Sequence, residues 1–363
     1  MKVVLVITSL AAGGAERIIA SLAKHWAEQG NEVTLITFDG DKPYYPVDSR
    51  VEFRQLDLES HSRPLTRAVS STLRRVRALR AVLRSKQPDI VISFLGKINI
   101  ITLLATRGLG MPVVVSERNN PDRQVFRPVW QRLRKTLYGL AECVVTPSQG
   151  VLDWFPEKIR KSGLVIPNPV DLPEQMPVRT PGPKAFIAVG RLVHQKGFDM
   201  LLAAFGKIAG DCPDWNLVIR GEGDRREEIE HLCDTLNLRD RVQLPGISEK
   251  PGQWVDEGEI FVLSSRYESF GNVLTEAMVA GLPIVAFDCP WGPGEILTAD
   301  VDSILLPPED VDALADAMLR LVRDVELRQR LGRAAQENVR RFERSQIMTH
   351  WDKLVSRLID QPR

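Results

Sequence analysis

Four charged residues in the second half of the chain, Arg191, Lys196, Glu268 and Glu276, lie in two short segments whose make-up suits a diphosphate. The first segment reads Val189-Gly190-Arg191-Leu192-Val193-His194-Gln195-Lys196-Gly197-Phe198. It sets a guanidinium fork and an ammonium point charge five residues apart, on a turn that opens a helix. That pairing fits two neighbouring phosphates. The second segment reads Ser264-Ser265-Arg266-Tyr267-Glu268-Ser269-Phe270-Gly271-Asn272-Val273-Leu274-Thr275-Glu276-Ala277 and follows an apolar strand. Ser269 to Asn272 fall at a predicted helix start, where free N–H groups and the positive dipole end favour a phosphate. Gly271 permits close backbone approach, and Glu268 and Glu276 flank the spot with acceptors for sugar hydroxyls. Alone, the first segment also reads as a basic surface turn and the second as a capped helix with solvated glutamates. Side by side in one domain they favour a phosphate-bearing ligand.

Weaker signals accompany these. Gly13-Gly14-Ala15-Glu16 is a glycine turn between the first strand and the first helix. It lacks the GxGxxG spacing of dinucleotide folds, so no redox cofactor is indicated. Gly221-Glu222-Gly223-Asp224 suits a structural turn as well as a nucleoside contact. Two basic clusters mark the first half: Arg67, Arg74, Arg75, Arg77, Arg80, Arg84 and Lys86, then Arg123, Arg127, Arg132, Arg134 and Lys135. Leu73, Val76, Leu79, Val82 and Leu83 interleave with the first cluster at helical spacing. A basic amphipathic helix of this kind fits an anionic membrane surface, and a solvated helix face explains it equally well.

The elements that must position these residues alternate along the chain. Apolar runs predict strands at 3–8, 32–38, 90–94, 113–116, 143–146 and 164–166, with helices between them such as 15–29 and 67–85. This alternation implies parallel strands covered by helices on both faces. Residues 167–183 then carry six prolines, too many for a helix or a central strand, which marks a stiff linker. Strands resume at 185–189, 216–219, 242–244, 260–263 and 284–287, with helices at 198–208, 225–236, 272–280 and 311–323. A last helix is predicted over 341–359, carrying Phe342 and Trp351. The expected domains are 1–170, a linker 171–183, a second domain 184–340 and the helix 341–363. The expected fold is α/β: two doubly wound Rossmann-like domains facing across a cleft, with the final helix packing back on the first. Ligands in such sheets bind beyond the carboxyl ends of the strands.

Composition narrows the chemistry. A length of 363 residues suits two ordinary domains, and 44% apolar with 26% charged residues is typical of a globular protein. A formal net charge of +1 argues against a nucleic-acid partner. No apolar run reaches the length of a bilayer span, and the opening residues read as a buried strand rather than a signal peptide. Cys143, Cys212, Cys233 and Cys289 are far apart, and the five histidines are scattered without ligand spacing. Neither disulfides nor a protein-held metal are expected, and a reducing cytoplasm is the natural setting.

Taken together these segments resemble the retaining glycosyltransferases of the GT-B fold, the group called family four, over nearly the whole chain. Glu268 and Glu276, eight apart, look like the E-x(7)-E signature of that group. The resemblance implies that Glu268 contacts donor-sugar hydroxyls and Glu276 holds the nucleotide ribose. It further implies that Arg191 and Lys196 bind the donor diphosphate and that the amides of Phe270, Gly271, Asn272, Val273 and Leu274 support it. Gly13 and Gly14 match the first-domain loop near the diphosphate and acceptor, and Asn168-Pro169 match the stretch before the linker. Arg118, in Ser116-Glu117-Arg118-Asn119-Asn120-Pro121, stands where many relatives carry a histidine near the transferred sugar, and by that resemblance it is counted among the donor-binding residues. The Glu-Arg-Asn run and the late Pro290-Trp291-Gly292-Pro293-Gly294-Glu295 look closest to enzymes of bacterial exopolysaccharide and lipid-linked oligosaccharide assembly.

The implied reaction moves a hexose or N-acetylhexosamine from a nucleotide-diphosphate sugar to a saccharide or polyprenyl-diphosphate-linked acceptor. UDP is the nucleotide by family habit, with GDP open, and no cofactor is needed. The implied location is the cytoplasm, peripheral on the inner face of the membrane through the basic helices. A sugar-nucleotide epimerase or hydrolase of the same fold, and a non-catalytic sugar-nucleotide binder, are the competing readings. Product formation without acceptor marks the former, and binding without transfer marks the latter.

Overall fold

The computed structural model describes residues 1–360 apart from Ala12, 59–64, Val125, Arg127, Pro181 and 249–251. Arg127 of the second basic cluster and Pro181 of the proline-rich stretch therefore lie outside the described residues, as does the side chain of Arg67. The chain forms two compact units, Met1–Pro169 with Ser345–Arg363, and Val170–Arg344.

In the first unit the described strands are β1 (Lys2–Ile7), β2 (Glu32–Thr37), β3 (Glu52–Gln55), β4 (Ile90–Phe94), β5 (Val113–Ser116), β6 (Cys143–Thr146) and β7 (Gly163–Val165). They are parallel and ordered β3-β2-β1-β4-β5-β6-β7. The helices between them are α1 (Gly14–Glu28), α2 (Leu65–Lys86), α3 (Gly96–Thr106), α4 (Pro128–Leu137), α5 (Gln149–Asp153) and α6 (Glu157–Arg160). Central strands such as β4 are buried at every position, as expected of a sheet covered on both faces.

The second unit repeats the plan. Its strands β8 (Ala185–Val189), β9 (Asn216–Arg220), β10 (Val242–Gly246), β11 (Ile260–Leu263), β12 (Ile284–Phe287) and β13 (Ile304–Leu306) are parallel, ordered β10-β9-β8-β11-β12-β13. Helices α7 (Phe198–Ile208), α8 (Arg226–Thr235), α9 (Asn272–Val279), α10 (Pro293–Ile296), α11 (Val311–Arg323) and α12 (Val325–Asn338) complete it. The α/β, parallel-sheet expectation therefore holds in both units. The proline-rich stretch supplies Leu172 and Met176 to the core of this unit, whose boundary falls at Val170.

The final helix differs from the sequence reading in an instructive way. A 3₁₀ turn covers Val339–Phe342, Glu343 is extended, and α13 (Arg344–Asp360) begins after it. Phe342 stays in the second unit, edge-on to Phe270 with ring centres 5.5 Å apart. Trp351 belongs to the first unit, stacked on Phe94 at 6.2 Å and fully buried. Ile347, Met348, Leu354, Val355 and Leu358 join it in the first unit's core. Asp352 accepts from Trp26 Nε1 at 2.8 Å and pairs with His25 Nε2 at 3.0 Å, which ties α13 to α1.

Among the described residues no helix is long and apolar enough to cross a membrane. All four cysteines are separate buried thiols.

Candidate active site

In a doubly wound sheet the strand order reverses at one place, and the loops after the two strands there diverge and leave a crevice. In the second unit that place lies between β8 and β11, which pair directly through Phe186–Ile260 and Ile187–Phe261. The segments singled out for phosphate chemistry are the loops that leave these two strands. Topology thus brings together residues about 70 positions apart, for the reason that locates ligand sites in such sheets generally.

The two loops are stitched to each other. Gly197 is left-handed at φ +63°, and a Cβ there would lie 2.1 Å from the Ser264 carbonyl, so only glycine allows the contact. Ser264 Oγ donates to the Lys196 carbonyl at 2.9 Å, the Arg266 amide to Gln195 O at 2.8 Å, and Gln195 Nε2 to Tyr267 O at 2.9 Å. Within this frame Lys196 Nζ donates to Glu268 Oε1 at 2.6 Å, and Ser265 Oγ donates to the same oxygen at 2.7 Å. Both partners are largely buried, with side chains 15% and 7% exposed. Pro290 O accepts from the Glu268 amide at 3.1 Å, and Gly292 lets residues 290–292 close onto Phe270. The late Pro-Trp-Gly-Pro motif thus braces the Glu268 loop. Cys289 is buried beside it, and burial first, then the Glu268 charge, push its thiol well above the ordinary range.

Gly271, at φ +99°, caps α9, so no side chain at the cap crowds the first amides of Asn272, Val273 and Leu274. Phe270 and Leu274 point into the core, while Asn272 and Val273 are partly exposed. Glu276, one turn further on, accepts a hydrogen bond from Trp254 Nε1 at 3.1 Å. Arg191 is exposed at the end of β8 and, among the described residues, forms no ion pair. Gly221 and Gly223 have a packing reason: added Cβ atoms would meet Gly190 O at 1.8 Å and Leu192 O at 2.3 Å.

Arg266 supports the stitched loops from outside. Its Nη1 and Nη2 hold Asp199 at 2.9 and 2.7 Å. Burial alone would raise the Asp199 carboxyl, but the hydrogen bond and charge of Arg266 outweigh it and hold it below its ordinary 3.8. A lowered folded-state pKa adds stability above the unfolded value, which is lost as pH falls through the folded one. The stability of the wild type is therefore expected to drop more steeply below pH 3.8 than that of Asp199→Asn. Denaturant unfolding at stepped pH measures this, and parallel profiles would rule the coupling out.

In the first unit the order reverses between β1 and β4. Gly13 is the extended N-cap of α1 after β1, with the Glu16 carboxylate folded over it, and Gly14 is the first helical residue. Arg118 is only 6% exposed. Its Nε donates to Ser116 Oγ at 2.7 Å, and its Nη1 to Ile166 O at 2.9 Å and Asn168 Oδ1 at 2.8 Å. It stacks on Phe94 and Trp351, each at 5.6 Å, and burial brings its guanidinium down to about 9. In this structure Arg118 ties the end of β5 to Ile166–Asn168, a structural duty that the sequence did not suggest.

The basic clusters need correction. Arg134 is a wholly buried cation, not a surface one. Its Nη2 donates to Pro121 O at 2.8 Å and Gln131 Oε1 at 2.7 Å, and it stacks on Trp154 and Phe126 at 4.6 and 5.0 Å. Glu117, also buried, lies 3.8 Å from it and accepts from Tyr138 Oη at 2.9 Å. Arg75 donates to Leu58 O, Arg80 to Ala105 O and Arg107 O, and Lys86 pairs with Glu52, so these three also serve the fold. Arg74, Arg77 and Arg84 remain exposed along α2. Trp254, Ser265, Gln195 and the Arg266–Asp199 pair were not picked out as site residues from sequence. Trp254 carried no signal there, since it lies in a stretch without period.

Known proteins share this organisation. The sequence model described as Glycosyltransferase Family 4 matches residues 12–174, and that described as Glycosyl transferases group 1 matches residues 174–338. An uncharacterized glycosyltransferase of Haemophilus influenzae is 28% identical over 322 residues, covering 87% of this chain and 88% of that one. A GalNAc-alpha-(1->4)-GalNAc-alpha-(1->3)-diNAcBac-PP-undecaprenol alpha-1,4-N-acetyl-D-galactosaminyltransferase of Campylobacter jejuni is 25% identical over 359 residues, covering 98% of each chain. Among solved structures, Anabaena HepE in complex with UDP-glucose matches with a TM-score of 0.81 at 20% identity, over 98% of this chain and 99% of that one, a likeness of fold. With one family domain ending where the other begins, and the pair running from residue 12 to residue 338, the chain belongs to the GT-B glycosyltransferases, a family 4 domain followed by a group 1 domain, and is an enzyme of that kind.

Proposed function

We propose that the enzyme moves a hexose or N-acetylhexosamine from a UDP-sugar to a saccharide carried on a polyprenyl diphosphate, with retention at the anomeric carbon, in bacterial surface-glycan synthesis. The observation that carries this reading is the buried Lys196–Glu268 pair at the β8/β11 reversal, beside the glycine-capped start of α9. The Campylobacter relative's undecaprenol-linked acceptor and the UDP-glucose in the Anabaena structure support the substrate classes.

In the proposed reaction the bond between the anomeric carbon and the β-phosphate oxygen breaks, and the nucleoside diphosphate departs with the electron pair. An acceptor hydroxyl oxygen attacks from the same face, and its proton passes to the departing phosphate. Negative charge grows on the diphosphate as the bond stretches. Lys196, Arg191 and the amides of residues 270–274 are the groups proposed to meet it, with Lys196 held in place by its largely buried pairing to Glu268. Glu268 is assigned to donor-sugar hydroxyls and Glu276 to the ribose. Gly13 and Gly14 are assigned to the diphosphate and acceptor. No cofactor or protein-held metal enters the scheme. Exposed Leu73, Arg74, Arg77 and Arg84 on α2, a helix without acidic residues, suit peripheral contact with an anionic cytoplasmic leaflet.

The test is a matrix of UDP- and GDP-sugars with and without a polyprenyl-diphosphate-linked saccharide. Sugar transfer from a UDP donor that requires the acceptor, with anomeric configuration read by NMR as retained, is the expected result. Rapid donor breakdown without acceptor, or turnover from GDP donors alone, would overturn it.

A further inference from the structure

The hydrogen bond between Trp254 and Glu276 joins two segments that nothing in the sequence connects, and it lies beside the proposed nucleotide site. Trp254 sits on a 3₁₀ turn, Gln253–Asp256, entered through Gly252 at φ +77°. Its ring is 2% exposed and packs on Phe261 of β11 with centroids 5.1 Å apart. The indole therefore has one orientation, fixed by a strand of the site itself. Its only polar atom, Nε1, donates to Glu276 Oε2 at 3.1 Å. Glu276 stands on the partly exposed side of α9, between the buried Thr275 and Ala277.

A glutamate on a helix surface samples several rotamers and gives up that freedom when it clamps a ligand. A carboxylate already held by a rigid donor has given it up in advance. A buried indole N–H also strongly favours a partner, so the bond persists through the ligand-free state. We infer that Trp254 is a positioning residue for the donor nucleotide, holding the Glu276 carboxylate in the orientation that receives the ribose hydroxyls. This rests on the ribose assignment of Glu276 made above. It adds that recognition of the ribose depends on an indole from a different loop, outside the two motifs that carry the phosphate chemistry.

Calorimetric titration with UDP and with 2′,3′-dideoxy-UDP separates the possibilities, using the full-length wild type, Trp254→Phe, Glu276→Ala and the double variant. The wild type is expected to prefer UDP roughly tenfold or more, the scale of hydrogen bonds to a charged acceptor. Trp254→Phe keeps an apolar ring against Phe261 and loses only the donor. It is expected to cut that preference about 3- to 10-fold by weakening UDP and not the dideoxy analogue, with kcat at saturating donor changed less than about twofold. Glu276→Ala is expected to erase the preference, and adding Trp254→Phe to it should change nothing more. Trp254→His, which retains a ring N–H, is expected to restore part of the preference and carries the test should the phenylalanine variant fold poorly. If Glu276→Ala loses the preference while Trp254→Phe keeps it in full, Trp254 is only a packing residue and the inference fails, with the ribose assignment intact. If Glu276→Ala keeps the preference, the ribose assignment itself falls, and the inference with it.

Discussion

Lys196→Ala lowers kcat roughly 10²-fold or more, the scale for deleting one preorganised stabiliser of a developing anion. The expectation follows from burial as much as from charge. The Lys196 side chain is 15% exposed and held 2.6 Å from Glu268, so solvent screens its field far less than that of a surface lysine. Losing a group that meets charge growing only in the transition state lowers kcat and kcat/KM together, whereas losing one that holds the donor equally in ground and transition states raises KM alone. Steady-state kinetics with varied donor therefore distinguishes the proposed role from simple affinity. The variant also removes the cation that faces the buried Glu268, leaving Ser265 as a described donor to that carboxylate. Arg191→Ala is expected to move kcat in the same direction on the same scale. Near-normal turnover in both variants would remove the diphosphate from this place.

The second large effect is on stability. Arg134→Leu is expected to destabilise the first unit by about 3–5 kcal/mol, the scale for removing one partner of a buried ion pair. Arg134 and Glu117 are both 0% exposed. Burial drives the Glu117 carboxyl upward, and the Arg134 charge and the Tyr138 hydroxyl pull it back. Without the guanidinium, Glu117 must stay charged in an apolar setting or take up a proton, and both options cost stability. Arg134 also fills the space between Phe126 and Trp154 and bridges Pro121 to α4, which leucine does not replace. Thermal melts are expected to fall by roughly 10 °C, given about 2–4 °C per kcal/mol for units of this size. Adding Glu117→Gln should recover a measurable part of the loss, because the orphaned charge is gone. A melt within about 1 °C of wild type would mean the buried pair contributes little.

The sequence made the frame and the two charged loops readable, because both depend on local pattern. β4, β5, β8, β11 and β12 are short, wholly or almost wholly apolar runs bounded by turn residues, and buried parallel strands have that composition. The two charged segments were legible because glycine, cations and carboxylates cluster within a few residues. What stayed hidden depends on contacts between distant positions. β3, Glu-Phe-Arg-Gln, is a half-exposed edge strand with no apolar run, and β13 has only three residues before two prolines. Arg134 cannot be told from Arg132 and Lys135 by spacing, since only a packed Glu117 and two aromatic faces single it out. Phe342 and Trp351, nine residues apart, read as one helix, while the extended Glu343 sends them to different units.

That last arrangement has a consequence for how the protein is made. Trp26, Phe94 and the outer side of α1 are covered by residues 345–358, which leave the ribosome after the whole second unit has been synthesised. Domains ordinarily fold as they emerge, N-terminal first, yet here the earlier unit waits with an uncovered apolar flank until the later one is finished. A nascent chain stalled before Ser345 is expected to keep that flank uncovered, a natural substrate for chaperones, and the two halves are not expected to fold as independent gene fragments split at residue 169.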